Sequence, residues 1–181
     1  SSYWAIFDGG NGSTIVRLKI DGTEVASYDT PGLHHPFTEL GDGSLVWSAM
    51  TGDDETLERQ YPDGTEETIA VCSELLGGLG DVDYCGSNTI RWHEPTDTLL
   101  YSLYSHETIL EVDVATGDRV RAFGHAGDPW AFDPPESAFW WQHGGHYTAA
   151  GTLMTSSYRA EEDDELVIRE YELDEDSRTL R

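Results

Sequence analysis

A chain of 181 residues with 35 acidic against 10 basic side chains, a formal charge of -25, has room for one sizeable core but not for two independent domains. Nucleic acid is excluded as a partner, because phosphate contacts need clustered Lys and Arg, whereas here the lone lysine, Lys19, and the arginines are scattered. No apolar run reaches the roughly 18 residues of a membrane span and no basic leader precedes an apolar core; an acid-rich, lysine-poor surface fits a secreted protein or one kept soluble in high salt.

In chain order, the first unit begins directly in a strand at 3–8, which fits the prior removal of a leader or an earlier segment. A polar turn at 9–13 follows, then a strand at 15–20, the turn Asp21-Gly22-Thr23-Glu24 and a strand at 25–28. The second has strands at 44–49 and 56–61 and the turn Asp63-Gly64-Thr65-Glu66. The third has 98–104, 108–113, the turn Ala115-Thr116-Gly117-Asp118 and 119–123; the fourth has 152–158, an acidic loop at 161–165, 166–171 and the turn at 174–177. Period-two alternation, β-branched and aromatic residues and Asp-Gly turns make these antiparallel strands, and a short helix is expected only around 73–79. The equivalent turn positions Asp21, Asp63, Thr116 and Asp174 lie 42, 53 and 58 residues apart. Repeats of that length, a few strands each, predict an all-β protein: a β-propeller with about four visible blades at 3–30, 34–70, 86–124 and 141–181, forming a single domain or part of a larger, six-bladed ring. A β-sandwich of the same strands is the alternative, but it would not account for the recurring turns.

Unusual chemistry collects just before the first clear strand of each later unit: His34-His35-Pro36, then Asp83 to Asn88-Thr89-Ile90, then Phe139-Trp140-Trp141-Gln142-His143-Gly144-Gly145-His146. Innermost strands of a propeller line its channel, and His35, Asn88 and His143 are 53 to 55 residues apart. Spacing therefore places two imidazoles and an amide around one axial pocket. Mixed aromatic, Gln and His side chains also suit a cleft wall, since polar groups are costly to bury without partners.

These pieces, in order, resemble the arylsulfotransferase family of periplasmic and secreted β-propellers. The likeness runs from about 30 to 175 through His34-His35 with Gly41-Asp42-Gly43-Ser44-Leu45, Asp83-Tyr84 to Ile90, Leu100-Tyr101-Ser102, 109–113 with Thr116-Gly117, Phe123-Gly124, and Gln142-His143 with Gly151-Thr152-Leu153. The resemblance implies sulfuryl transfer between phenols through a sulfated histidine, with His143 as nucleophile, His35 as supporting imidazole and Asn88 as donor to the sulfuryl oxygens. A neutral imidazole can attack sulfur, and nearby donors must offset charge on its oxygens. Gln142, Tyr104, His106, Trp141 and His146 complete the expected substrate contacts. Gly86 stands where the family pattern has a histidine and Tyr104 near its arginine, with His106 close enough to replace part of that charge. The expected partner is a small phenolic or anionic ligand, and the expected location is secreted or periplasmic. The alternative is a propeller that has lost catalysis and binds a ligand, or one that associates with missing blades or another chain.

Cys72 and Cys85 flank a Gly-rich connection and either close it as a disulfide or lie buried as thiols. Asp8 to Ser13 offers alternating oxygens that calcium could use, but an ordinary hairpin turn is the better reading, and no cofactor is expected. His146, three residues beyond His143, raises a metal reading with His34 or His35. No helix presents the pair on one face and no Cys or carboxylate sits at zinc spacing, so no metal is expected. The Pro-rich stretch 128–135 reads as a long connection over the channel mouth.

Overall fold

The computed structural model describes residues 2–8, 13–52, 54–77, 85–158 and 166–181. β1 (Ser2–Asp8), β2 (Ser13–Lys19) and β3 (Glu24–Thr30) form a three-stranded sheet. β4 (Leu33–Glu39), β5 (Leu45–Thr51), β6 (Asp54–Gln60) and β7 (Glu66–Val71) form a four-stranded meander, which ends in a one-turn helix, α1 (Cys72–Leu75). β8 (Ser87–His93), β9 (Thr98–Leu103), β10 (Thr108–Asp113) and β11 (Arg119–Gly124) repeat that meander. After the short β12 (Ala131–Phe132) come β13 (Trp140–Tyr147), β14 (Leu153–Tyr158) and β15 (Leu166–Tyr171), then β16 (Leu173–Asp174) and β17 (Thr179–Leu180). Consecutive meanders of this kind are propeller blades, so the expected all-β architecture is present.

The turns recur because their sequence recurs. In 19–23, 40–44 and 61–65 the first residue's N–H bonds the last residue's carbonyl, and a left-handed glycine (Gly22, Gly43, Gly64, φ 83° to 86°) closes the bend. The Asp before each glycine accepts from the backbone N–H two residues on, at 2.9 Å from Thr23, Ser44 and Thr65. Short Asp side chains make such local bonds readily, and glycine adopts positive φ without steric cost.

Alternation divides the core into two layers. Leu99, Tyr101 and Leu103 of β9, with Leu110 and Val112 of β10, pack with Val46 and Leu57 of the second blade. Their opposite-parity neighbours Leu100 and Ile109 pack with Phe139, Leu153 and Tyr171 of the fourth. The third blade is thus buried on both faces, which is why every residue of β9 is buried. Each fully buried Leu or Ile there contributes about 2 kcal/mol of transfer free energy.

Three details differ from the sequence expectation. The helix is α1, shorter than 73–79, and residues 78–79 lie outside those described. β4, β8 and β13 are true strands although their alternation is broken. The Pro-rich connection does not cross the channel mouth: Trp130 bonds back to Ala122, and Ala131 and Asp133 donate to the carbonyls of Arg178 and Leu180. It is therefore laid along β11, the outer strand of the third blade, and through β12 it pairs with β17 in a separate three-stranded sheet, β12-β17-β16, because the backbone groups there need partners. The two cysteines form a disulfide, Cys72–Cys85. The candidate calcium loop at 9–12 and the acidic loop at 161–165 lie outside the described residues.

Candidate functional site

β4, β8 and β13 are the innermost strands of successive blades and pack side by side. Each breaks register where its candidate residue sits. In β4 the pairing with β5 slips between Leu33 and Phe37, around His34, His35 and Pro36. In β8 it slips between Ser87 and Thr89, at Asn88. In β13 it slips on both sides of His143, between backbone positions held at positive φ, Trp141 at 44° and Gly144 at 71°. A bulge re-aims a side chain out of the ladder. The left-handed Trp141 costs roughly 1–2 kcal/mol, strain that the rest of the strand must hold in place.

The result is one cavity of about 230 Å³ whose lining includes His34, His35, Ser87, Asn88, Tyr104, His143 and Tyr158. The exposed His143 ring stands edge-on against Tyr104 at 5.6 Å, and its backbone carbonyl accepts from Ser156 Oγ at 2.5 Å. Asn88 Nδ2 donates to the Gln142 carbonyl at 2.7 Å, joining β8 to β13, while its buried Oδ1 has no partner. His34 and His35 rings lie 4.6 Å apart. Among the described lining residues there is no Arg or Lys.

Behind the cavity wall lies a buried carboxylate. Glu55 has no solvent exposure and accepts from the backbone N–H of Gly86 (2.7 Å) and Ser87 (3.3 Å), from Ser48 Oγ (2.8 Å) and from Tyr101 Oη (3.1 Å). His34 Nδ1 lies 3.8 Å from Glu55 Oε1, within ion-pair range for a protonated imidazole and longer than a hydrogen bond. Burial first, then the adjacent Glu55 charge, pushes the Tyr101 phenol far above its ordinary range, so it stays a donor. The arrangement fixes the β8 entrance and places a negative charge behind His34.

The other expected contacts do not join this cavity. Gln142 is fully buried, its Nε2 donating to Ser102 Oγ and to the carbonyls of Leu103 and Thr108; it ties β13 to the third blade. His106 sits in a 3-10 turn with a buried, unpartnered Nε2. Trp141 is 43% exposed and outside the lining. His146 lines a second cavity at the other end of β13, so it does not converge with His143 on one ion. The compact His/Cys/Asp/Glu group found among the described residues is Asp54 with Cys72 and Cys85, whose sulfurs are tied up in the disulfide. Sequence reasoning named His34 only within the His-His pair and a metal reading, and passed over Ser87, Tyr158 and Glu55. Glu55 had a signal: it shares the inward parity of the core residue Leu57.

No protein-family model matches the sequence, and no curated protein sequence does either. The fold is similar to that of several solved structures. They include a streptogramin B lyase (16% identity, TM-score 0.53, 93% of this chain and 50% of that one) and virginiamycin B lyase from Staphylococcus aureus (14%, 0.52, 93% and 55%). A putative 6-phosphogluconolactonase from Bacteroides uniformis matches with 12% identity and TM-score 0.55, over 99% of this chain and 52% of that one. At such identities the likeness speaks for fold alone: the chain has β-propeller architecture and spans about half the length of the solved structures it matches.

Proposed function

We propose that the cavity between β4, β8 and β13 binds a small phenolic ester anion and transfers its sulfuryl group through His143. The observation that carries this reading is that His35, Asn88 and His143, one from each of three successive blades, line the same cavity. In the first step a ring nitrogen of His143 forms the N–S bond as the S–O bond to the phenol breaks; the phenolate leaves with the bonding pair and takes a proton from solvent. In the second a phenol oxygen attacks sulfur, loses its proton and frees the imidazole. The remaining Nδ2 hydrogen of Asn88 and the His35 imidazole donate to the sulfuryl oxygens. The disulfide and the acidic surface support a secreted or periplasmic setting for this chemistry.

A second reading, ligand binding without turnover, is favoured by one observation: no cation lines the cavity among the described residues. Release of phenol from 4-nitrophenyl sulfate separates the two. The transfer reading expects acceptor-dependent nitrophenol release that falls at least ~1000-fold in His143→Ala. Binding of the ester with no release in the native protein establishes the second reading instead.

A further inference from the structure

The other ends of β8 and β13 enclose a separate cavity of about 330 Å³, lined by Arg91, Trp92, His93, Leu100, His146 and Tyr147. In a chain of net charge -25, Arg17, Arg59, Arg121, Arg178 and Arg181 find carboxylates and Arg119 donates to the Leu75 carbonyl, whereas Arg169 has no carboxylate partner among the described residues. Among the described residues Arg91 makes no hydrogen bond or ion pair, and His146, which lines the same cavity, has no hydrogen-bonding partner.

The walls, by contrast, are fixed. Trp92, whose ring packs on the second-blade side of β8 against Gly41, is held by its Nε1 donating to Asp97 Oδ1 at 2.9 Å and so fixes the strand that carries Arg91. Tyr147 donates its hydroxyl to the buried Glu111 at 2.8 Å, whose charge is met by Arg121 at 3.3 Å. Burial, then Glu111, pushes the Tyr147 phenol far up, so this wall stays neutral. The His93 ring meets Tyr147 edge-on at 4.8 Å and is held by Thr96 Oγ1 at 2.7 Å from Nδ1.

We propose that this second cavity binds a small aromatic carboxylate. The Arg91 guanidinium takes the carboxylate through paired N–H donors, His146 adds a donor, and the ring lies against His93 and Tyr147, which share the Arg91 face of β8. An exposed guanidinium with no partner among the described residues, beside a tyrosine ring whose hydroxyl is already engaged, suits a planar anion. The site uses no residue of the His143 cavity, so it stands or falls separately from the sulfuryl-transfer reading.

Calorimetric titration with benzoate tests it, with acetate as the ring-less probe. The expected result is saturable benzoate binding, acetate at least ~10-fold weaker, a loss of ~10-fold or more in Arg91→Gln, and no change in His143→Ala. Arg91 is exposed, so the Arg91→Gln protein should melt at the native temperature, which shows that the loss is local. Absence of saturable benzoate binding, or binding that survives Arg91→Gln or is lost in His143→Ala, overturns the assignment.

Discussion

The Glu55 carboxylate accepts from two backbone amides, a serine and a tyrosine while wholly out of solvent. Replacement by Gln keeps the shape but turns one acceptor oxygen into a donor that faces other donors. Leaving buried groups unpaired in this way is expected to cost about 3 kcal/mol. Urea denaturation of Glu55→Gln should show the midpoint falling without a change of slope; an unchanged midpoint would mean that the network carries little stability. His35, Asn88 and His143 were legible as candidates because blade-length spacing brings equivalent strand positions together. Glu55 was not, because it reads like any acid of a -25 chain until its parity with Leu57 is noticed. Gln142 misled in the opposite direction: next to a histidine in a polar run it looks like a ligand contact, yet its amide closes backbone gaps in the third blade.

At the scale of elements, the turns were the most readable feature, since Asp-Gly-Thr or Asp-Gly-Ser sets both the bend and the side-chain bond. Asp21, Asp63 and Asp174 have pKa values lowered chiefly by those bonds, from Thr23, Thr65 and Ser177 respectively. At Asp42 burial alone would raise the value, but the Ser44 bonds and the Arg59 guanidinium outweigh it and lower it. A depressed folded-state pKa stabilises the fold above the unfolded value near 3.8 and is lost as pH falls below that through the folded value. Between pH 4 and 2, roughly, native stability should therefore fall more steeply than that of Asp42→Asn in parallel fluorescence titrations; superimposable curves would deny the linkage. Relief of the large negative charge acts on both proteins alike and cancels in the comparison. The Cys72–Cys85 bridge spans 13 positions, and the paired Cys72→Ala, Cys85→Ala variant should lose about 2–3 kcal/mol in denaturant melts. The innermost strands were hard to read for a physical reason: their register breaks are what present His34, His35, Asn88 and His143, and a break erases the alternation that identifies a strand. The outer placement of the 128–135 connection is decided by the edge groups of β11 and β17, which no local pattern reports.

For the molecule as a whole, repetition in the sequence was enough to give the blades, and the cavity follows from their convergence. Exposed large apolar residues gather on the first sheet and its turn (Tyr3, Ile6, Ile20, Val25) and on β15 of the last (Leu166, Ile168). The middle blades, covered on both sides, bury nearly all of theirs. A cavity built from three blades depends on all of them, so its chemistry is a property of the assembled propeller. The central claim, that His143 carries a sulfuryl group between phenols, is tested most directly by mass analysis of the His143 peptide after a brief incubation with 4-nitrophenyl sulfate at alkaline pH and no acceptor. The account predicts one added SO₃ per chain on that peptide, released when a phenol is supplied. A His143 peptide of unchanged mass, while the ester is bound, would contradict it.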